Sequence, residues 1–315
     1  MRIAHFSDLH LLSPEGVRFW EIINKRWIGA LNLLTNRGRH HQALIFEAMV
    51  DDLNQQQLDH CVCTGDITNL ALKTEFAFAR QVFDRFELPP EQITVIPGNH
   101  DAYIRKGAGL FAEYFEPFHR SDDGFGWPDD SRWPFVRVRG DVAVIGLTTS
   151  FQTPWFTDYG RIGKEQCERL AALLSDQRLA DKFRIVAIHH PVTGRRAQNR
   201  VRGLRDRERF AEIIGEHGAE MVLHGHDHRD LSDELPGPNG PVPVRCIQSA
   251  SYEAGKPDRR ARYRIFDIRQ DLDIVRIVRE DVRVWDPDQQ TFKPDQSRDL
   301  LGRPPQRALP SAASR

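Results

Sequence analysis

Sulfur is scarce in this sequence: 315 residues carry four cysteines and three methionines. Cys61, Cys63, Cys167 and Cys246 have neither the density of a disulfide framework nor the spacing of a zinc ribbon, which excludes a small stapled fold. Cys61 and Cys63 alternate inside an apolar run and read as small buried strand residues, a usage that suits a reducing compartment. No stretch supplies the ~20 consecutive apolar residues that a spanning helix requires. The opening residues run straight into Ile3-Ala4-His5-Phe6-Ser7-Asp8 without a basic-then-apolar leader, so no secretory signal is expected and the expected location is the cytoplasm. Charge of one sign is also missing. With a net charge of -1, the whole chain creates no field that would gather nucleic acid or an anionic membrane, and any such affinity must come from local patches. Nor is there an internal repeat at the 20–50-residue periods of a solenoid or propeller.

What is present is a regular alternation. Short apolar runs at 2–6, 60–63, 93–96, 142–147, 184–188 and 220–223 are separated by helix-like stretches at 41–58, 73–87, 163–180 and 205–217. In the first stretch Leu44, Ile45, Ala48, Met49 and Leu53 recur at helical spacing. Strand and helix alternating in this way predict a layered α/β sheet. Toward the end the pattern changes to consecutive strands at 242–247, 261–268 and 273–279, with a hairpin turn at Gln270-Asp271, and this block is expected to pair antiparallel beside the first sheet. The Pro/Gly cluster at 236–243 reads as a loop rather than a boundary. One domain over residues 1–285 is expected, followed by a polar, Pro- and Ser-rich, loosely ordered tail over 286–315.

Five of the six early runs end in groups able to bind metal or phosphate. They are Ser7-Asp8-Leu9-His10, Thr64-Gly65-Asp66-Ile67-Thr68-Asn69, Pro97-Gly98-Asn99-His100-Asp101, His189-His190-Pro191 and His224-Gly225-His226-Asp227-His228. Ligands of open α/β sheets gather outside the carboxyl ends of the strands, so these clusters converge on one edge despite their distance in sequence. An Asp-x-His pair alone is commonly a capped turn; five such clusters at successive strand ends are not an accident of composition. Carboxylates, imidazoles and one carboxamide, with no thiolate, suit Mn, Fe, Zn or Co. They are too many for one tetrahedral ion and fit two ions roughly 3.5–4 Å apart that share a carboxylate, as in phosphatases and nucleases. Gly65, Gly98 and Gly225 each precede a presumed ligand, where a missing Cβ permits close backbone approach. Of the other histidines, His40, His41, His119 and His217 are expected at the surface, and His5 and His60 as structural residues flanking strands.

The order D-x-H, G-D, G-N-H-D, H and G-H-x-H resembles that of the calcineurin-like metallophosphoesterase superfamily over about residues 1–285, and its spelling is similar to the bacterial branch of class III cyclic-nucleotide phosphodiesterases. The resemblance implies a four-layer α/β/β/α sandwich of two mixed sheets. It implies one metal held by Asp8, His10, Asp66 and His228, and a second held by Asp66, Asn99, His189 and His226, with Asp66 bridging. His189 is taken over His190 because the family's ligand directly follows the strand. His190 and His224 adjoin ligands and are expected to support them. Two divalent or trivalent ions (Mn, Fe or Zn) would acidify a water whose hydroxide attacks phosphorus. His100 would bind the phosphate or protonate the leaving group, with Asp101 orienting its imidazole. The reaction implied is hydrolysis of a phosphodiester or pyrophosphate bond.

Three insertions follow ligand loops and are expected to select the substrate. Residues 16–41 place Trp20, Ile23, Trp27, Leu31 and Leu34 at helical spacing among basic residues, as either a lid helix or a peripheral contact with the inner membrane. Residues 102–135 are dense in aromatics, as an apolar cap or ordinary packing. Residues 194–210 hold seven arginines, Arg195, Arg196, Arg200, Arg202, Arg205, Arg207 and Arg209, of which Arg195 and Arg196 are candidate substrate contacts, alongside Trp20 and Trp27. The stretch from Asn24 to Leu34 is similar to bacterial UDP-2,3-diacylglucosamine pyrophosphatases of lipid A synthesis, which makes a lipid pyrophosphate the alternative substrate to a small phosphate ester. A non-catalytic scaffold is disfavoured because no ligand is missing. A nuclease is disfavoured because the chain lacks overall positive charge, so nucleic acid is not an expected partner.

Overall fold

Each early apolar run becomes a strand buried on both faces, which is why its residues read as continuous rather than alternating. The computed structural model describes residues 1–13, 43–102, 107–129, 131–154, 157–253, 256–271 and 274–300. Twelve strands among these residues form two six-stranded mixed sheets. In the first, β1 (Arg2–Phe6), β2 (His60–Cys63) and β3 (Ile93–Val95) run parallel. β10 (Arg262–Asp271), β11 (Ile274–Asp286) and β12 (Thr291–Asp299) extend that sheet antiparallel from β1. The second sheet runs in spatial order from β4 (Phe135–Arg139) through β5 (Val142–Gly146), β6 (Phe183–Ala187), β7 (Met221–His224) and β9 (Val242–Cys246) to β8 (Leu231–Leu235). Its four central strands are parallel and the flanking β4 and β8 antiparallel.

Alternate side chains then define three apolar layers. In β1, Ala4 and Phe6 face α1 (Ala43–Asn54) and α2 (Lys73–Phe83), while Ile3 faces the second sheet. In β5, Val142 and Val144 meet the first sheet, while Ala143 and Ile145 pack with α4 (Lys164–Leu174) and α5 (Arg207–His217). With α3 (Gly107–Phe115) completing the helices over the first sheet, this is the expected α/β/β/α sandwich.

Several expectations are corrected. The chain is strand to Asp299: β12 pairs with β11, and the buried Trp285 and Phe292, register partners with rings 5.6 Å apart, anchor it. Residues 291–299 of the expected loose tail are thus strand, and residues 301–315 lie outside the described residues. β12 was hidden by its polarity and by Pro294, which sits at a register shift on an edge strand, where a missing N–H costs little. β9 joins β7 in the second sheet rather than the antiparallel block. Gln270 and Asp271 are strand, so the hairpin turns beyond them. In the 102–135 insertion Phe111, Phe115 and Phe118 belong to the core against Phe76 and Phe83, so this part of its aromatic density is packing. His119 is buried, not superficial. Its Nδ1 donates to Phe115 O at 2.7 Å, its ring stacks on Trp133, and burial pulls its pKa down to about 4. His40 and His41 lie outside the described residues, while His217 is half-buried beside Ser175.

One buried charge holds the β4 side together. Arg137 is 2% exposed and its guanidinium donates to the carbonyls of Pro90, Ile93, Pro117 and Arg120. Burial pulls its pKa down to about 10, so it stays protonated at neutral pH, balanced by carbonyl dipoles rather than by a carboxylate. Arg137→Met strips four carbonyls of their donor and is expected to cost about 2–4 kcal/mol. That cost should lower the urea midpoint at unchanged slope; an unshifted midpoint would show that the clamp contributes nothing.

Candidate metal centre

The clusters at the ends of β1, β2, β3, β6 and β7 meet at one edge because their loops are hydrogen-bonded side by side. Asp8 N donates to Gly65 O, His10 N to Asp66 O and Leu11 N to Ile67 O, all within 2.8–2.9 Å. Asp8, His10, Asp66, His226 and His228 all adopt positive φ, between 46° and 69°. Asp and His tolerate this left-handed region better than most residues, yet each such position costs of order 1 kcal/mol or more. The surrounding hydrogen bonds offset that strain. Ser249 Oγ donates to Asp8 O and Ser251 Oγ to Leu9 O, each at 2.5 Å, and Ala250 N donates to Ser7 O. The Asp8 carboxylate in turn accepts from His226 N.

Two donor sets result. Asp8, His10, Asp66 and His228 form one; Asp66, His189 and His226 form the other; within each set the donor atoms lie within 4.8 Å of one another. Asn99 completes the second, its Oδ1 lying 3.0 Å from His189 Nε2 and 2.8 Å from His226 Nδ1. Asp66 belongs to both. Its Oδ1 accepts from His100 N at 2.8 Å, while Oδ2 lies 3.8 Å from His10 Nε2 and 3.5 Å from His189 Nε2. Gly98 makes this placement possible, since a Cβ there would stand 2.1 Å from Asp66 Oδ1.

The residues fit metal ions on their chemistry. His10 and His228 face each other through Nε2 atoms at 2.9 Å, an arrangement that only a proton or a cation between or beside them can satisfy. Burial opposes a charged His189, but the carboxylates of Asp66 and Asp8 outweigh it and push its pKa up to about 9. Burial likewise opposes ionised Asp66, yet His189 and His100 hold it well below the usual carboxylate range. The pocket thus favours positive charge between these groups. All donors are oxygen or imidazole nitrogen. The nearby Cys63 and Cys246 are buried, which pushes their thiols well above the ordinary value and away from thiolate ligation.

The two adjacent histidines separate cleanly. His189 Nδ1 donates to Thr64 O at 2.7 Å, which turns Nε2 toward Asn99 and Asp66. His190 has both nitrogens engaged, with Thr149 Oγ1 at 2.7 Å and Asp158 O at 2.9 Å, and its ring lies 4.7 Å from that of His226. It belongs to neither donor set. His224 turns Nδ1 to Gly225 O. His5 and His60 bond to Thr64 and Thr94 in the interior, as structural residues do.

Asp101 differs from its expected role. Its carboxylate accepts from Gly98 N, Ile67 N, Thr68 N and Thr68 Oγ1, so it staples the second and third loops together. The His100 ring is instead held by Asn69 O at 2.7 Å from Nδ1. A carboxylate beside an imidazole in sequence suggested a pair, but the turn directs the two side chains to different partners. Arg196 reaches the centre's rim, donating to Asp227 Oδ1 at 2.9 Å, whereas Arg195 is exposed. Arg207 and Arg209 pair with Glu208 and Glu212 on α5. Trp20 and Trp27 lie outside the described residues. Ser249, Ser251 and Thr149 went unnoticed in the sequence because nothing marks a serine or threonine whose partner is a distant backbone or ring.

Gly98→Ala should displace Asp66 and weaken metal binding by ten- to a hundredfold, as losses of supporting groups around metal sites do. Gly109→Ala, where an added Cβ meets nothing within 4 Å, should leave affinity unchanged. Titration of the metal-free variants with Mn²⁺ measures both, and equal affinity for the two would refute the packing argument.

The calcineurin-like phosphoesterase family model matches residues 1–230. A dimetal phosphatase from Danio rerio superposes with a TM-score of 0.59 at 11% identity, covering 95% of this chain and 98% of that one. The purple acid phosphatase PPD1 of yellow lupin (Lupinus luteus) superposes with a TM-score of 0.57 at 12% identity, over 96% of this chain and 54% of that one. At such identities the likeness is one of fold. No curated protein matches the chain in sequence at a significant level. The matched span reaches from the first strand past the last donor histidine, and the chain belongs to the calcineurin-like phosphoesterase family.

Proposed function

We propose that the chain hydrolyses a phosphodiester or pyrophosphate bond with two metal ions, one held by Asp8, His10, Asp66 and His228 and the other by Asp66, Asn99, His189 and His226. The observation that carries this reading is Asp66: with Oδ1 fixed by a backbone N–H, Oδ2 faces both donor sets. Oxygen and imidazole donors suit Mn, Fe or Zn. Bound there, the ions supply Lewis acidity, lowering the pKa of water and neutralising charge on the phosphoryl oxygens. The chain's own contribution is orientation and proton transfer. His100 donates its Nδ1 proton to Asn69 O, so any proton it passes to a leaving oxygen must come from Nε2. Asp101 acts at one remove, holding the loops that bear Asp66 and His100. Arg196, at the rim on Asp227, is the candidate first contact with the substrate's anionic part.

All four cysteines are buried free thiols, which supports a cytoplasmic setting. No described helix is long and apolar enough to cross a membrane. Residues 16–41, the candidate inner-membrane contact, lie outside the described residues.

Asp66→Ala and Asn99→Ala are expected to reduce both bound metal and hydrolysis of bis-p-nitrophenyl phosphate sharply. His100→Ala keeps the backbone N–H that orients Asp66, so metal content should persist while turnover falls by about 10²–10⁴. Full metal-dependent turnover by Asp66→Ala overturns the assignment. Parallel assays on cyclic AMP and UDP-diacylglucosamine divide the phosphodiester from the pyrophosphate form of the reading.

A further inference from the structure

Arginines on most of this surface are paired: Arg80 with Asp84, Arg85 with Glu47 and Asp51, Arg120 with Glu116, Arg169 with Asp129 and Glu165, Arg178 with Asp176. On the loops flanking the second donor set Arg196 pairs with Asp227 and Arg202 with Asp158, but two arginines break that habit. Arg161 and Arg205 have no carboxylate within ion-pair distance among the described residues, and both are exposed. Each instead lies over an aromatic ring, Arg205 at 4.2 Å from the centroid of Tyr159 and Arg161 at 5.3 Å from that of Phe151. The two rings meet edge to face with centroids 5.5 Å apart, so the four side chains form one connected cluster.

The cluster is built onto the centre. Asp158 N donates to Val201 O, Gly160 N to Gly203 O and Arg205 N to Gly160 O, joining the 158–161 and 201–205 segments into a ribbon. Arg161 N donates to Thr149 O, whose side chain holds His190, and Asp158 O takes the other nitrogen of that ring. Gly160 packs so closely on His190 that a Cβ would lie 2.4 Å from Nδ1. His190 in turn lies against His226. One imidazole therefore separates the ribbon from the second donor set.

A guanidinium lying over a ring is restrained by that contact while its N–H groups remain available to an anion. That is the preorganised state for binding a phosphate, because the rotamer entropy of a long side chain is already spent. We propose that Arg161 and Arg205, braced on Phe151 and Tyr159, bind a second phosphate group of the substrate, beside the one that is hydrolysed. The substrate class is thus a phosphoester carrying two or more phosphates, reached either in solution, as in a nucleoside diphosphate derivative, or as a lipid headgroup. This rests on the two-metal phosphoesterase reading for the bond that is cut, but not for the binding itself.

The test compares the parent chain with Arg161→Gln/Arg205→Gln, both metal-loaded, with bound metal as the check on folding. Calorimetric titration with ADP is expected to give a Kd about tenfold weaker in the variant, and Arg161→Lys/Arg205→Lys, which keeps charge but loses the fork, should fall between. Flotation with phosphatidylcholine vesicles, with and without phosphatidylinositol 4-phosphate, forms the second arm. Weakening confined to ADP assigns a soluble substrate, and weakening confined to the phosphatidylinositol 4-phosphate vesicles assigns a lipid one. Equal binding of both probes by parent and variant overturns the proposal. Absence of any phosphodiester hydrolysis by the parent would count against the reaction reading alone, because binding is measured without turnover.

Discussion

A carboxylate shared by two donor sets cannot be left to choose its own rotamer, and most of what surrounds Asp66 serves to deny it that choice. One oxygen is held by the His100 N–H, and the bare Gly98 leaves room for it. The loop carrying Asp66 is pinned on one side to the first strand's loop through Asp8, His10 and Leu11, and on the other to the third through Asp101. Because the backbone at Asp8, His10 and Asp66 is left-handed, none of these loops would hold its shape unaided. Strain at the donors and hydrogen bonding behind them are two sides of one requirement.

The same logic extends into the space between the sheets. Arg264 on β10 is buried and paired with Asp230, two residues past His228, and with Glu280 on β11. Arg262 reaches Asp230 and Asp295, and Arg245 reaches Glu280. The cost of desolvating these charges largely offsets their mutual attraction, so this network adds orientation more than net stability. It ties the segment leaving the last donor histidine to the antiparallel arm of the opposite sheet.

Much of this was legible in the sequence, and the reasons are physical. Strands buried on both faces announce themselves as apolar runs, so β1, β2, β3, β5, β6 and β7 could be read directly, with the polar clusters at their ends. The exposed edge strands β8 and β12 carry no such signal. β8 reads Leu-Ser-Asp-Glu-Leu and is exposed along most of its length, and β12 is polar with a central proline. The donors were visible because carboxylates and imidazoles at strand ends are rare; the serines that hold their loops were not. His119 was misread because a histidine among polar neighbours in sequence can still find a carbonyl and an indole in space. Asp101 shows the limit of adjacency, since its partners are the Gly98 amide of its own loop and the Ile67 and Thr68 groups of the preceding one.

The division of the donors between sheets has a consequence for how the molecule comes together. Asp8, His10, Asp66 and Asn99 hang from the first sheet, and His189, His226 and His228 from the second. Each donor set mixes both, so neither sheet alone presents a complete one. The pairings that build the centre span more than two hundred residues, and contacts of that separation are the slowest for a chain to close. An ion that needs either full set would therefore be bound only after the two sheets have docked, so its uptake would report the final step of folding rather than template the first.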